Sequence, residues 1–567
     1  MNPVGQQGCN GEAAAAAVSV GMTDGRGRGL FASTAMKAGT TVLSERPLVA
    51  MQSLDNAQDV TVCRNCLGFA GDIISQLELL TGLPRPECLE RHQTRQRISK
   101  SNGYDFQAVP ARELSGLYEC LEGCGEVYCS PRCRSEHWER CHRLLCVGSV
   151  PDEEAQDHPL VAFRIHAMQT NEIFLLVGEV MARIATAFTK KMQAEPGADG
   201  NGDVDDEMSA ARAPFADFVQ EPWWEVAVAR DARDEEAGPS SSSCRSTGDE
   251  NAAAAALPGT LRALCEESSA LLRSAFARAL GPLPATLEHA LAGEMFGRVV
   301  GMFEQNNMGV RAPSPIPEVL RELLSSSEDD DPTGISRDVL GEVAQLVGEV
   351  MDEEYDDEEE SDDDEEEEEE EGVTSTCCGD EEGGSDGDGC CGTPTAVGGG
   401  VAEGKSSATA EETTRRCAPR DALDEPGVDP RQDQDEAIVE RAIDRGGEEG
   451  EEGVSLFPPL DGTALYSLIC CMNHSCRPNC LVLYPGRRRE KKKATADPGN
   501  PGAGAVRSAD PLVAEVVLLE DVPAGEELTQ SYVTRDMGFV ERREALEDYG
   551  FFCTCPRCLE EEAMESS

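Results

Sequence analysis

Apolar positions set the first division of the chain. From Glu172 to Ile184 they recur at helical period, so residues 150–185 read as helix. Leu257–Leu280 is a second helix candidate and Val339–Met351 a short third. Thr40 to Val49 reads as a strand behind a turn at Lys37, Ala38 and Gly39. Leu465 to Met472 is continuously apolar and of strand length, which predicts a buried strand. Elsewhere the pattern is lost. Residues 1–21 are small and Gly/Ala-rich, and residues 192–256 are low in complexity apart from Trp223 and Trp224, which are expected to dock on the core. Residues 325–453 are acidic and Gly-rich. Such sequence buries too little apolar surface to offset its ordering entropy, so the N-terminus and the acidic insert are predicted to be disordered.

Charge and cysteine content sharpen this division. A chain of 567 residues has room for two to four domains. Its 108 acidic residues outnumber 49 basic ones, a net charge of -59. Nearly every residue from Asp352 to Glu371 is acidic, so the excess belongs to the insert rather than to a folded surface. This balance disfavours direct binding to nucleic acid and favours basic protein partners: histones, ribosomal proteins or other lysine-rich substrates. No apolar run approaches the ~18 residues of a membrane span, so no membrane partner is expected. Met1 to Met22 lacks the basic start and apolar core of a signal peptide. The 24 cysteines fall largely in short-spaced pairs, which in a reducing compartment bind metal. A soluble protein of the nucleus and/or cytoplasm is expected.

Several clusters carry chemistry. Cys63 and Cys66, Cys120 and Cys124, Cys129 and Cys133, and His142 and Cys146 form four pairs. Eight soft ligands suit two closed tetrahedral zinc sites with a structural role, and a small loop-rich module needs such ions to fold. Cys88, His137 and Cys141 are near enough to compete for the second ion. Cys553, Cys555 and Cys558 supply three thiolates within six residues and lack a fourth ligand nearby. Gly25, Gly27 and Gly29 let the backbone approach a ligand closely, although G-x-G-x-G alone marks a tight turn, and no helical pattern follows to make a dinucleotide fingerprint. Asn306 and Asn307 read, on spacing alone, as a turn. Cys377, Cys378, Cys390 and Cys391 lie in acidic sequence as incidental pairs. Arg487–Arg489 with Lys491–Lys493 form a nuclear-import or phosphate-binding patch, or a solvated hairpin tip.

Asn473-His474-Ser475-Cys476, the run Gly525 to Tyr532 and the terminal cysteines, in this order, resemble the C-terminal half of a SET domain with its post-SET tail. The paired cysteines resemble a MYND zinc finger, with three residues rather than the usual two inside the second pair. A MYND finger inside a split SET domain defines the SET and MYND domain-containing (SMYD) family. The spacing after Cys133 and the Leu80–Pro84 insert resemble the branch of SET and MYND domain-containing protein five and its plant trithorax-related relatives. The resemblance implies an α+β fold with a mainly-β, knot-like SET core. The expected segments are a SET N-terminal part (22–62), the finger (63–146), a helical insert (147–324), the acidic insert (325–453), a SET C-terminal core (454–535) and a post-SET tail (536–567). No helical C-terminal domain is expected after Leu559.

The same resemblance assigns roles. The cofactors would be S-adenosylmethionine (SAM) and Zn2+ at three sites. Arg26, Gly27 and Arg28 would hold the amino-acid end of SAM. Asn306, with Asn307 as the near alternative, would contact it. Asn473 and His474 would contact its adenosine and amino end through backbone and side chain. Phe551 would stack on adenine, and Tyr549 would line a lysine channel. Cys63, Cys66, Cys129 and Cys133 would hold one ion, and Cys120, Cys124, His142 and Cys146 the second. Cys476 would join Cys553, Cys555 and Cys558 around the third.

Tyr532 is the expected catalytic residue of a protein-lysine N-methyltransferase. Free lysine has a pKa of about 10.4. An apolar channel and a nearby positive sulfur both disfavour its ammonium form, so no strong base is needed. Alignment remains, which can supply roughly 7–11 kcal/mol, and a phenol hydroxyl can orient the amine. Taken alone, Tyr532 reads as a core tyrosine with a satisfied hydroxyl; its place after Glu526, Glu527 and Leu528 favours the catalytic role. The rival class is a binding protein, a MYND/SET scaffold that recruits Pro-rich peptides without methyl transfer.

Overall fold

The computed structural model describes residues 17–23, 25–101, 116–155, 157–193, 204–227, 250–325, 335–360, 434, 437–440, 456–484, 512–547, 549 and 551–565. Residues 1–16, most of the acidic insert with its four cysteines, and the Arg487–Lys493 patch lie outside them. One compact unit comprises Met1–Val350 and Gln434–Ser567; the other, Met351–Asp433, is described only at the end of the helix Ile335–Glu360.

The architecture mixes helices and small sheets. The strands are β1 Val18–Thr23, β2 Gly27–Ala32, β3 Thr41–Glu45, β4 Val49–Gln52, β5 Tyr118–Glu119, β6 Val127–Tyr128, β7 Met308–Ala312, β8 Leu460–Leu465, β9 Asn473–His474, β10 Cys480–Leu483, β11 Ala514–Leu518 and β12 Glu527–Gln530. They form sheets in the orders β1-β2-β12-β9, β10-β11-β3 and β4-β8-β7, with β5 and β6 pairing in the cysteine-rich module. The first sheet matters most for function. β12 runs antiparallel to β2, with Leu528 opposite Leu30, and parallel to β9, with Thr529 opposite Asn473 and Gln530 opposite His474. Residues some 450 positions apart in sequence thus share one sheet edge.

The helical layer is built on Ile173–Gln193, whose Phe174, Leu176, Val177, Val180, Met181, Ile184 and Phe188 are all buried. Each such side chain contributes about 1.5–3 kcal/mol relative to exposure. Gly293–Asn306 and Glu250–Leu280 pack into the same core. No helix among the described residues is long and apolar enough to cross a membrane.

Five expectations need correction. The helix expected over 150–185 is three, Asp152–Ala155, Pro159–Thr170 and Ile173–Gln193; Asn171 ends the second in extended conformation and its Oδ1 accepts from the Ile173 N–H. The strand expected from Thr40 to Val49 breaks into β3 and β4 around Pro47, which has no N–H to give to a ladder. Leu465–Met472 is buried, but only its first residue is in a strand; Ile469–Cys471 form a 3₁₀ turn. The supposedly low-complexity 192–256 contains the helix Val204–Arg212 and buries Met208, Phe215, Phe218 and Trp224. Finally, the N-terminal segment is ordered from Val18, because β1 completes a hairpin with β2.

Candidate active site and metal clusters

The β1–β2 hairpin turns through Gly25 and Gly27, at φ of +79° and +73°, a region that L side chains adopt at a cost. Gly29 serves differently. A Cβ there would lie 2.7 Å from Thr23 Cγ2 and 2.9 Å from Glu527 Oε1, so any larger residue would displace these side chains. Gly29→Ala should therefore cost about 1–3 kcal/mol through overpacking and shift the urea midpoint of the full chain accordingly. An unchanged midpoint would mean that the hairpin yields freely.

Glu527 is the hub of this edge. One carboxylate oxygen pairs with the Arg26 guanidinium, and the other accepts from Asn473 Nδ2 at 2.7 Å. The same Asn473 amide donates to the Arg28 carbonyl at 3.0 Å. The Arg28 guanidinium lies 5.7 Å from the Phe218 ring centre and 3.5 Å from Asn306 Oδ1. Asn306 Nδ2 donates to the Met302 and Val219 carbonyls. Asn307 lies apart from these groups and pairs with Thr463.

Tyr532 emerges from β12 beneath a group of rings. Its centroid lies 5.3 Å from His474, 5.2 Å from Tyr549 and 6.2 Å from Phe551. Its hydroxyl donates to the Met472 carbonyl at 2.7 Å. Burial pushes the phenol's pKa up, so it stays a neutral donor. Tyr549 is half exposed, and its hydroxyl donates to the Tyr532 carbonyl at 3.4 Å. His474 is buried, and that burial lowers its pKa to about 4. Its Nδ1 accepts from the Tyr532 N–H at 3.0 Å, and its Nε2 lies 3.2 Å from Cys476 Sγ. Both ring nitrogens thus have partners within the protein.

Three clusters of soft ligands are assembled: Cys63, Cys66, Cys129 and Cys133; Cys120, Cys124, His142 and Cys146; and Cys476, Cys553, Cys555 and Cys558. Within each, the ligand atoms lie within 4.8 Å of one another. A zinc ion with four thiolates at about 2.3 Å sets its sulfurs about 3.8 Å apart. The structure has 3.7 Å for Cys66–Cys129, 3.8 Å for Cys120–Cys146 and 3.4 Å for Cys476–Cys558, so the donor sets fit zinc. These separations are far too long for a disulfide. Burial and the neighbouring Cys558 push the Cys476 thiol up. Cys88 stays out of the second cluster, donating its S–H to the Ser75 carbonyl. His137 and Cys141 also stay out and gather with Glu179.

The sequence has similar counterparts among known proteins. The chain is 22% identical to the histone-lysine N-methyltransferase ATXR2 of Arabidopsis thaliana over 94% of this chain and 88% of that protein. It is 30% identical to the protein-lysine N-trimethyltransferase SMYD5 of Homo sapiens over 32% of this chain and 41% of that protein. A SET and MYND domain-containing protein of Dictyostelium discoideum is 27% identical over 19% of this chain and 25% of that protein. The chain is thus similar to SET and MYND domain proteins. No family model matches it.

Sequence reading missed four supporting residues. Glu45, partly buried, accepts from the N–H groups of Ser467, Leu468 and Ile469, at 2.7 to 3.1 Å. It thereby ends the apolar run as a turn and aims Met472 and Asn473 at the site. Asn479 Nδ2 donates to the Glu527 carbonyl at 2.8 Å and its Oδ1 accepts from Thr529 N at 2.8 Å, clamping β12. Arg542 is 1% exposed, donates to the Met537 carbonyl and pairs with Glu561. Its charge stands beside Cys476 and Cys558, where a zinc with four thiolates would carry net negative charge. Phe218 comes from sequence whose composition looked featureless. None of the four belongs to a short motif; each is defined by a partner distant in sequence.

Proposed function

We propose that this chain is a SAM-dependent protein-lysine N-methyltransferase acting on histones or other basic proteins. The observation that carries the reading is the convergence of Arg26–Arg28, Asn473–His474 and Tyr532 on one four-stranded sheet, with Phe551 and Tyr549 brought over it by the C-terminal cysteines. The names of the relatives support the same class.

The donor set fits SAM. Arg26, half exposed beside its partner Glu527, would offer a cation for the carboxylate of its amino-acid end, and Phe551 would offer a face for adenine. Bound SAM supplies a methyl group on a positively charged sulfur. The remaining work falls to this chain. Tyr549 and Tyr532, with ring centroids 5.2 Å apart, would line a lysine channel whose aromatic faces favour a neutral amine. The Tyr532 hydroxyl, fixed by Met472, offers its oxygen lone pair to orient that amine. We propose further that β12, lying between β2 and β9, is the strand that threads the knot-like core. The acidic insert provides a counter-surface for lysine-rich substrates.

Incubating the full chain with methyl-labelled SAM and a panel of histones and ribosomal proteins tests this. Label on lysine Nζ is expected. SAM binding without label on any of them would favour the scaffold reading.

A further inference from the structure

One imidazole joins two parts of the site that the proposed function treats separately. His474 is 5% exposed and follows Asn473 on β9. On one side it meets the backbone N–H of Tyr532 at 3.0 Å. An N–H can only donate, so Nδ1 is the acceptor and the neutral ring carries its proton on Nε2. That Nε2–H faces Cys476 Sγ at 3.2 Å, and Cys476 belongs to the C-terminal four-cysteine cluster. The Tyr532 hydroxyl is held by the Met472 carbonyl, two residues before His474. Both ends of the tyrosine are therefore fixed by the segment 472–474, and Cys476 anchors that segment from the other side.

We propose that His474 is a positioning residue that makes the placement of Tyr532 depend on metal bound by Cys476, Cys553, Cys555 and Cys558. The dependence has a chemical basis. A metal-bound thiolate is an anionic sulfur acceptor that holds the Nε2–H. A free thiol is a weak acceptor and a competing donor, so without metal the ring loses one of its two anchors. Its other bond, to Tyr532, then loses the fixed geometry that aligns β12 against β9. This rests on the reading of Tyr532 as the residue at the transfer site, but the coupling itself can be measured without methyl transfer.

Two substitutions separate the arms. In His474→Asn, the amide oxygen can replace Nδ1 towards Tyr532, and the donor to sulfur is lost. In His474→Gln, the amide nitrogen can replace Nε2 towards Cys476, and the acceptor for Tyr532 is lost. The ion in question is assigned as the one missing from Cys555→Ser, and its affinity in the full chain is measured by chelator competition. His474→Asn should weaken that affinity by roughly 10–100-fold, as loss of an outer partner of a metal ligand does. His474→Gln should leave it within about threefold and lower kcat with little change in the KM for SAM. In the unsubstituted chain, removing this zinc should speed hydrogen exchange at the Tyr532 amide by at least about tenfold, the least that one weakened hydrogen bond would produce. The proposal is overturned if zinc affinity is the same in both variants and the unsubstituted chain, or if the Tyr532 amide stays equally protected without zinc. Both readouts stand even if the protein transfers no methyl group, so a failure of the proposed function and a failure of the coupling are told apart.

Discussion

Tyr532→Phe should lower kcat for methyl transfer by roughly 10²-fold or more, the scale of effect that misplacing a reacting group produces. Its affinity for SAM should stay within about threefold, because the proposed function assigns the lost atom to the lysine amine rather than to the cofactor. The hydroxyl is placed by one short bond to the Met472 carbonyl. Phenylalanine keeps the ring between His474 and Tyr549 but leaves that buried carbonyl without its donor, which adds about 1–3 kcal/mol of destabilisation. Single-turnover transfer and calorimetric SAM titration, run on the same preparation, separate the two effects. Equal kcat in the two proteins would remove Tyr532 from the mechanism.

The second large effect concerns the tail. Cys553→Ser should abolish one of three bound zinc ions and weaken SAM binding by at least about tenfold. Structural zinc contributes about 10–16 kcal/mol in small domains, so its loss is not absorbed locally. The tail cluster is small: Cys476, Leu546, Cys553 and Cys558 are buried, with Tyr532, Val533, Phe539, Phe551 and Cys555 packed on them. The ion would tie the segment that carries Phe551 to Cys476 beside the site. Metal analysis should read two zinc ions per chain and calorimetry a weakened SAM affinity. Three retained ions, or unchanged affinity with two, would show that the tail does not build the pocket.

The legibility of this chain followed the range of its interactions. The three ligand clusters could be read because metal chemistry constrains residue type and spacing so tightly that Cys63/Cys66, Cys129/Cys133 and Cys553/Cys555/Cys558 stand out. Gly525 to Tyr532 was legible through its turn and its context. The helix Ile173–Gln193 was visible because its apolar face repeats. Other features were hidden for physical reasons. Leu465–Met472 has the composition of a strand, but a carboxylate 420 or more residues earlier, Glu45, draws its N–H groups into a turn. Phe218 and Trp224 lie in sequence poor in periodicity, and they are buried because Arg28, Arg262 and the Gly293–Asn306 helix meet them. The role of His474 could not be read from its motif, because both its partners are set by tertiary structure.

The most direct test of convergence on a single cofactor is hydrogen–deuterium exchange of the full chain with and without SAM. Peptides covering residues 25–32, 473–476, 527–532 and 549–555 should all gain protection together as SAM saturates. Protection confined to one of these segments, or absent from all of them, would contradict a site assembled from both ends of the chain.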